Sequence, residues 1–129
     1  MTRPRILLVD DNLMNLELVS FLLQANGLEI TTAPDADVAR TSIATHEPDL
    51  ILMDIQLPGT DGLTFTRQLK SNPATQHIPV VAFTAYAMRG DEARMRKAGC
   101  DGYLSKPIDV ATFTATVKSY LKVNTSAGS

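Results

Sequence analysis

Five polar residues stand at the ends of apolar runs: Asp10 and Asp11, then Asp54, Thr84 and Lys106. The acid pair follows Ile6-Leu7-Leu8-Val9, Asp54 follows Leu50-Ile51-Leu52-Met53, and Thr84 follows Val80-Val81-Ala82-Phe83. Lys106 comes just after Tyr103-Leu104. Each run has the length and composition of a buried parallel strand. Side chains at the carboxyl ends of such strands meet in one crevice. Three carboxylates, an ammonium and a hydroxyl gathered there make a site for a divalent metal and a phosphoryl group. Crowded acids repel and drive a proton onto one of their number unless a dication neutralises them. Oxygen-only ligands select a hard cation, and Mg²⁺ keeps several waters while using one or two carboxylates, so Mg²⁺ is expected rather than zinc. An aspartate so placed beside a lysine can act as a nucleophile toward phosphorus and form an aspartyl-phosphate. Phosphoryl transfer asks mainly for in-line positioning and neutralised equatorial oxygens. Lys106 and the metal supply that charge, while Thr84 and a nearby backbone N–H donate hydrogen bonds.

The elements that must position these residues alternate five times between apolar runs and helical patterns, the signature of an α/β parallel sheet. Strands are expected at Arg5 to Val9, Leu28 to Thr32, Asp49 to Met53, after Pro79, and at Asp101 to Ser105. The second is the most polar and suits an edge. Helices are expected from Asn12 to Asn26, with Leu16, Val19 and Leu23 on one face, and after Asp35, with Ala36, Ala39 and Ile43 inward. A third carries Phe65 and Leu69 inward. The fourth, Ala85 to Ala98, has a poor apolar stripe and many charges, so it should be the least firmly packed. The last, Val110 to Lys122, turns Val110, Phe113, Val117 and Leu121 to the core. The fold class expected is a doubly wound (βα)5, flavodoxin-like sheet; with its strands in order 2-1-3-4-5, the crevice lies between strands one and three. Residues 1–123 form one domain, and the small polar residues 124–129 are expected to be a disordered tail.

Composition removes other classes. The 129 residues are 44% hydrophobic and 20% charged, ordinary for a globular domain with a sizeable core. A net charge of −2 gives no broad basic surface for holding nucleic acid nonspecifically. The stretch from Val80 to Met88 is too short to span a bilayer. Met1-Thr2-Arg3-Pro4 lacks a signal-peptide pattern, and the lone Cys100 cannot form an internal disulfide, so a reducing cytoplasm is expected.

These residues carry a resemblance. Asp10-Asp11, the run Met53-Asp54-Ile55-Gln56-Leu57-Pro58-Gly59, Thr84-Ala85 and Lys106-Pro107, in this order and at these separations, resemble the receiver domains of two-component response regulators, the CheY-like superfamily. Among them the nearer likeness is to single-domain receivers such as the cell-division regulator DivK, and to the receivers of hybrid kinases. Asp11-Asn12 followed by Asn15, and Thr84-Ala85-Tyr86-Ala87-Met88 followed by Gly90-Asp91-Glu92, carry that nearer likeness. The resemblance implies that Asp54 is the phosphoacceptor. It implies that Asp11, Asp54 and the Gln56 carbonyl hold Mg²⁺, with Asp10 acting mainly through water. Lys106 pairs with phosphoryl oxygens, its bond to Pro107 is cis, Thr84 moves onto the phosphoryl group, and Tyr103 turns inward with it. Ala85 leaves that group room, while Gln56 and Tyr86 tune its hydrolysis. Implied partners are a histidine kinase or histidine phosphotransfer protein, and a downstream protein on the face of helix four, strand five and helix five; self-association is left open. The chain would catalyse only its own phosphoryl transfer and slow self-dephosphorylation.

Blander readings apply to other residues. Acid pairs such as Asp10-Asp11 often cap helices. His46 and His77 suit solvated element ends, Cys100 a small buried or turn position, and the methionines gap-filling. A phosphatase of the haloacid-dehalogenase type needs Asp-x-Asp on one strand, but Gln56 stands two residues beyond Asp54. A flavin carrier needs a glycine- and hydroxyl-rich loop after strand one, where Asp11-Asn12-Leu13-Met14-Asn15 stands instead.

Overall fold

A computed structural model describes residues 3–84, 89–106 and 108–128. Five strands, β1 (Arg5–Val9), β2 (Glu29–Ala33), β3 (Leu50–Asp54), β4 (Val80–Thr84) and β5 (Gly102–Ser105), alternate with α1 (Leu13–Ala25), α2 (Ala36–Thr45), α3 (Gly62–Ser71), α4 (Arg89–Ala98) and α5 (Phe113–Gly128). The sheet is parallel throughout, as the apolar runs predict, and its order is β2-β1-β3-β4-β5.

Strand pleating explains both faces. Ile6 and Leu8 of β1, with Leu50 and Leu52 of β3, pack beneath Val19 and Leu23 of α1 and Phe113, Val117 and Leu121 of α5. The alternate residues Leu7, Val9, Ile51 and Met53 face Ala36, Ala39 and Ile43 of α2 and Phe65 and Leu69 of α3. The central strands β3 and β4 are buried at every position, which only a sheet covered on both faces allows. Edge strand β2 is largely exposed and buries only Ala33. Met95 and Ala98 of α4 join Leu63 and Ala82 in a smaller cluster.

Local chemistry sets the helix starts. The side chains of Asn12, Asp35 and Asp61 accept from the backbone N–H of Asn15, Val38 and Thr64 respectively, capping α1, α2 and α3. Two expectations change. Val110 lies outside the last helix and is 58% exposed. Asp109 accepts from the Ala111 N–H at 3.0 Å and its carbonyl from Thr112 and Phe113, so a turn precedes α5 and leaves Val110 outside it. The helix bounds also run to Gly128, across the stretch whose composition suggests a tail; once a helix is docked, each added residue costs little to propagate. Ala85, where the fourth helix was expected to begin, lies outside the described residues.

Candidate functional site

The site sits at the carboxyl ends of β1, β3, β4 and β5. Register aligns Val9 with Met53, Asp54 with Phe83, and Thr84 with Ser105. Asp10, the first residue after β1, is buried, as are Asp54 and Thr84. Asp11 is exposed at the mouth. Carboxylate oxygens of Asp10, Asp11 and Asp54 lie within 4.8 Å of one another. The Lys106 ammonium reaches in from the β5–α5 connection, 2.9 Å from Asp10 Oδ2 and 3.3 Å from Asp54 Oδ2. It also lies 5.0 Å from the centre of the Phe83 ring, and its backbone N–H donates to the Thr84 carbonyl at 2.8 Å. Lys106 is therefore fixed by β4 at both its backbone and its side chain.

Charge dominates this pocket. Three carboxylates face one ammonium, leaving an excess of two negative charges that one divalent cation would neutralise. Burial raises the Asp54 carboxyl from its ordinary 3.8 to about 6; Lys106 opposes this, Asp10 adds to it, and the Gln56 N–H, 3.1 Å from Oδ1, opposes it. The donors converging here are all oxygens, which fits Mg²⁺ and not a thiolate- or imidazole-seeking metal.

The family description "response regulator receiver domain" matches residues 6–118 of this sequence. The chain belongs to that family. As a receiver it is a signalling module of two-component systems, which work with histidine kinases or phosphotransfer proteins and bind Mg²⁺ at an acidic site. The polar-differentiation response regulator DivK of Brucella anthropi is 47% identical over 116 residues, 90% of this chain and 94% of that protein. The receiver domain of a sensor histidine kinase from Pseudomonas aeruginosa, solved with magnesium coordinated in its active site cleft, is 31% identical, with a TM-score of 0.84 over 94% of this chain and 99% of that one. A CheY-like receiver from Methanospirillum hungatei gives a TM-score of 0.89 at 25% identity, covering 98% of this chain and 99% of that one.

The receiver's sequence-predicted site residues mostly converge. Asp10, Asp11, Asp54 and Lys106 meet directly, Thr84 ends the neighbouring strand, and Gln56 follows β3 and is exposed. Tyr103 is 37% exposed on β5. Ala85, Tyr86 and Pro107, and with the last the expected cis bond, lie outside the described residues. Two residues were given no place in the site by the sequence reading, although Asn15 had served the resemblance. Asn15 donates from Nδ2 to Asp10 Oδ2 at 3.3 Å; its spacing from Asp10, one turn into α1, was the available signal. Gly62 donates its N–H to the Ile55 carbonyl at 2.8 Å, and a Cβ there would overlap the Asp54 carbonyl. Its lack of a side chain lets α3 begin against the backbone that carries Asp54. No sequence signal marks that approach beyond a glycine directly after a helix-capping aspartate.

Among the described residues no helix is long and apolar enough to cross a membrane.

Proposed function

We propose that Asp54 accepts a phosphoryl group from the phosphohistidine of a partner kinase or phosphotransfer protein, and that residues 1–123 report its occupancy to a downstream protein. The observation that carries this reading is Lys106 bridging Asp10 and Asp54 beside Asp11. Asp54 lies at the end of a wholly buried strand, so its reacting oxygen has little freedom to lose. Oδ2 and Oδ1 are held by Lys106 and by the Gln56 N–H. An Asp54 oxygen attacks phosphorus as the donor's P–N bond breaks, and the imidazole nitrogen keeps the bonding pair. Lys106 then moves from balancing two carboxylates to pairing with phosphoryl oxygens. Asp11, Asp54 and the Gln56 carbonyl would hold Mg²⁺, with Asp10 acting mainly through water. Bound there, Mg²⁺ neutralises the pocket and the transferring group.

Thr84 closes on the phosphoryl group and Tyr103 turns inward, reshaping the face made by α4, β5 and α5. Ala85 leaves the phosphoryl group room. Gln56 and Tyr86 tune self-dephosphorylation, the bulk of the tyrosine slowing it. A protein donor is supported by α1, which begins at the site and exposes Leu13, Met14 and Phe21 at 67%, 79% and 70%. Such a patch beside an acidic pocket fits the apolar surface of a helical partner. The lone cysteine and the absence of a spanning helix among the described residues support a cytoplasmic setting.

Incubation with acetyl phosphate and Mg²⁺ is expected to add one phosphate to the chain, detected by intact mass, and Asp54→Asn to abolish the addition. Equal labelling of the variant would overturn the assignment. A second reading, the receiver portion of a hybrid histidine kinase, is favoured by the Pseudomonas aeruginosa kinase receiver; the full reading frame tests it.

A further inference from the structure

Asp10 is a wholly buried carboxylate, and three donors hold it. Oδ1 accepts from the Asn12 N–H at 2.9 Å. Oδ2 accepts from the Lys106 ammonium at 2.9 Å and from Asn15 Nδ2 at 3.3 Å. Facing a carboxylate, only the NH₂ end of the Asn15 amide can make that contact. The two donors on Oδ2 differ in kind. Asn15 stands in the first turn of α1, whose Val19 and Leu23 lie in a large core cluster. Its backbone N–H is tied to the Asn12 side chain at 3.1 Å, so its amide is a fixed donor on a short stem. Lys106 carries its charge on a flexible four-carbon stem and also pairs with Asp54 Oδ2 at 3.3 Å, so its head group can shift between partners. Asp10 cannot follow it, because its own N–H donates to the Ala33 carbonyl at 3.0 Å.

We propose that Asn15 is a positioning residue that holds Asp10 while Lys106 is handed over to the phosphoryl group. The inference rests on Asp54 being the acceptor and on Lys106 pairing with phosphoryl oxygens. When the ammonium turns to the new group, Asp10 Oδ2 loses its cation in a place that water does not reach. A buried carboxylate left without its partner is costly. Of the two side-chain donors to that oxygen, Asn15 is the one that stays, and it needs no rearrangement to do so. In the resting state Lys106 already satisfies Oδ2, and the amide is the second, longer contact. Loss of Asn15 is therefore felt more after phosphorylation than before it. Asn15 makes and breaks no covalent bond; it acts through Asp10 and sets how readily the lysine can leave.

The test measures how tightly the full chain binds beryllofluoride, a tetrahedral stand-in for the phosphoryl group that one carboxylate oxygen completes. Binding is followed by fluorine NMR at saturating Mg²⁺. Asn15→Leu, which keeps the bulk and suits a helix, should weaken it roughly three- to tenfold, the lower range for a hydrogen bond to a charged group. Asn15→Asp has the same shape but sets a like charge against Asp10, and should weaken binding further. Asn15→Gln returns the amide on a longer stem and should recover part of the loss. In an Asp10→Asn background the loss from Asn15→Leu should shrink to under about twofold, because no buried charge remains to be held. Initial rates of labelling by acetyl phosphate, read by intact mass, repeat this cycle with a signal that accumulates even where affinity is low. A loss of equal size in both backgrounds would show that Asn15 serves the fold of α1 and would overturn the proposal. Wild-type affinity in both Asn15→Leu and Asn15→Asp would overturn it as well, while leaving the acceptor assignment standing. Beryllofluoride binding no tighter to wild type than to Asp54→Asn would overturn the acceptor assignment itself. Thermal melts verify that each variant is folded at the assay temperature.

Discussion

The substitution Asp54→Asn tests the charge balance of the pocket without any phosphate. Asp54 is 6% exposed, and burial lifts its carboxyl from 3.8 to about 6. A carboxyl raised in the folded state costs nothing below about pH 4, where folded and unfolded chains both hold the proton. The cost grows as pH climbs through the unfolded value and is complete above the folded one, near about pH 6. One pH unit corresponds to about 1.4 kcal/mol, so ionised Asp54 withholds on the order of 3 kcal/mol from stability at neutral pH. Asparagine has nearly the same shape and no such charge. The stability gap between variant and wild type should therefore widen by about 3 kcal/mol, or about 10 °C in melting midpoint, between about pH 4 and about pH 7. The assay is a set of melts across that range in metal-free buffer. Adding Mg²⁺ at about a hundred times its dissociation constant should raise the wild type by about 2.7 kcal/mol and narrow the gap. A gap that does not change with pH would refute the claim that Asp54 ionises against its surroundings.

Lys106→Ala removes the ammonium between Asp10 and Asp54, and leaving buried carboxylates without their partner should cost about 3–5 kcal/mol at neutral pH, read by denaturant titration. Because Lys106 holds the Asp54 carboxyl down, the same variant should move that group's titration further up, seen by carboxyl-carbon NMR. Gly62→Ala forces a methyl into the Asp54 carbonyl, so it should weaken Mg²⁺ binding at least several-fold, measured by titration calorimetry on protein shown to be folded. Thr84→Ala should still be phosphorylated but should transmit poorly, so partner binding in pull-downs should lose its dependence on phosphate.

Much of this arrangement was legible because burial and chemistry share one position. Runs such as Leu50-Ile51-Leu52-Met53 are apolar on both faces, which declares a covered parallel strand, and the polar residue ending each run declares the crevice. Where two readings shared one pattern, the sequence misled. Val110 stands three residues before Phe113, the spacing of a helical stripe, but the Asp109 carboxylate turns the chain first and exposes it. The apolar surplus of α1 hid a second feature. Leu16, Val19 and Leu23 face the core, while Leu13, Met14, Leu18 and Phe21 face solvent. Periodicity finds the first set and averages away the second.

The same packing suggests where an added phosphate is felt. Buried β3 and β4 cannot yield without disturbing both large clusters, since close-packed cores resist small shifts. Among the described residues of α4 whose side chains are placed, only Met95 and Ala98 are buried, and they sit in the smallest of the three core clusters. Moving a two-state element from 1:99 to 99:1 takes about 5.5 kcal/mol of differential stabilisation. Charge-assisted hydrogen bonds from Thr84 and Lys106, each worth about 1.5–3 kcal/mol, supply that scale in two or three contacts. Val19 and Leu23 of α1 and Phe113, Val117 and Leu121 of α5 sit in a large cluster, with Leu16, Leu22 and Tyr120 packed against it, whereas Met95 and Ala98 sit in the small one, so such a sum overcomes the anchor of α4 first. Changes in amide exchange on phosphorylation should therefore concentrate in α4 and spare α1, and uniform protection across both helices would show that the sheet itself responds.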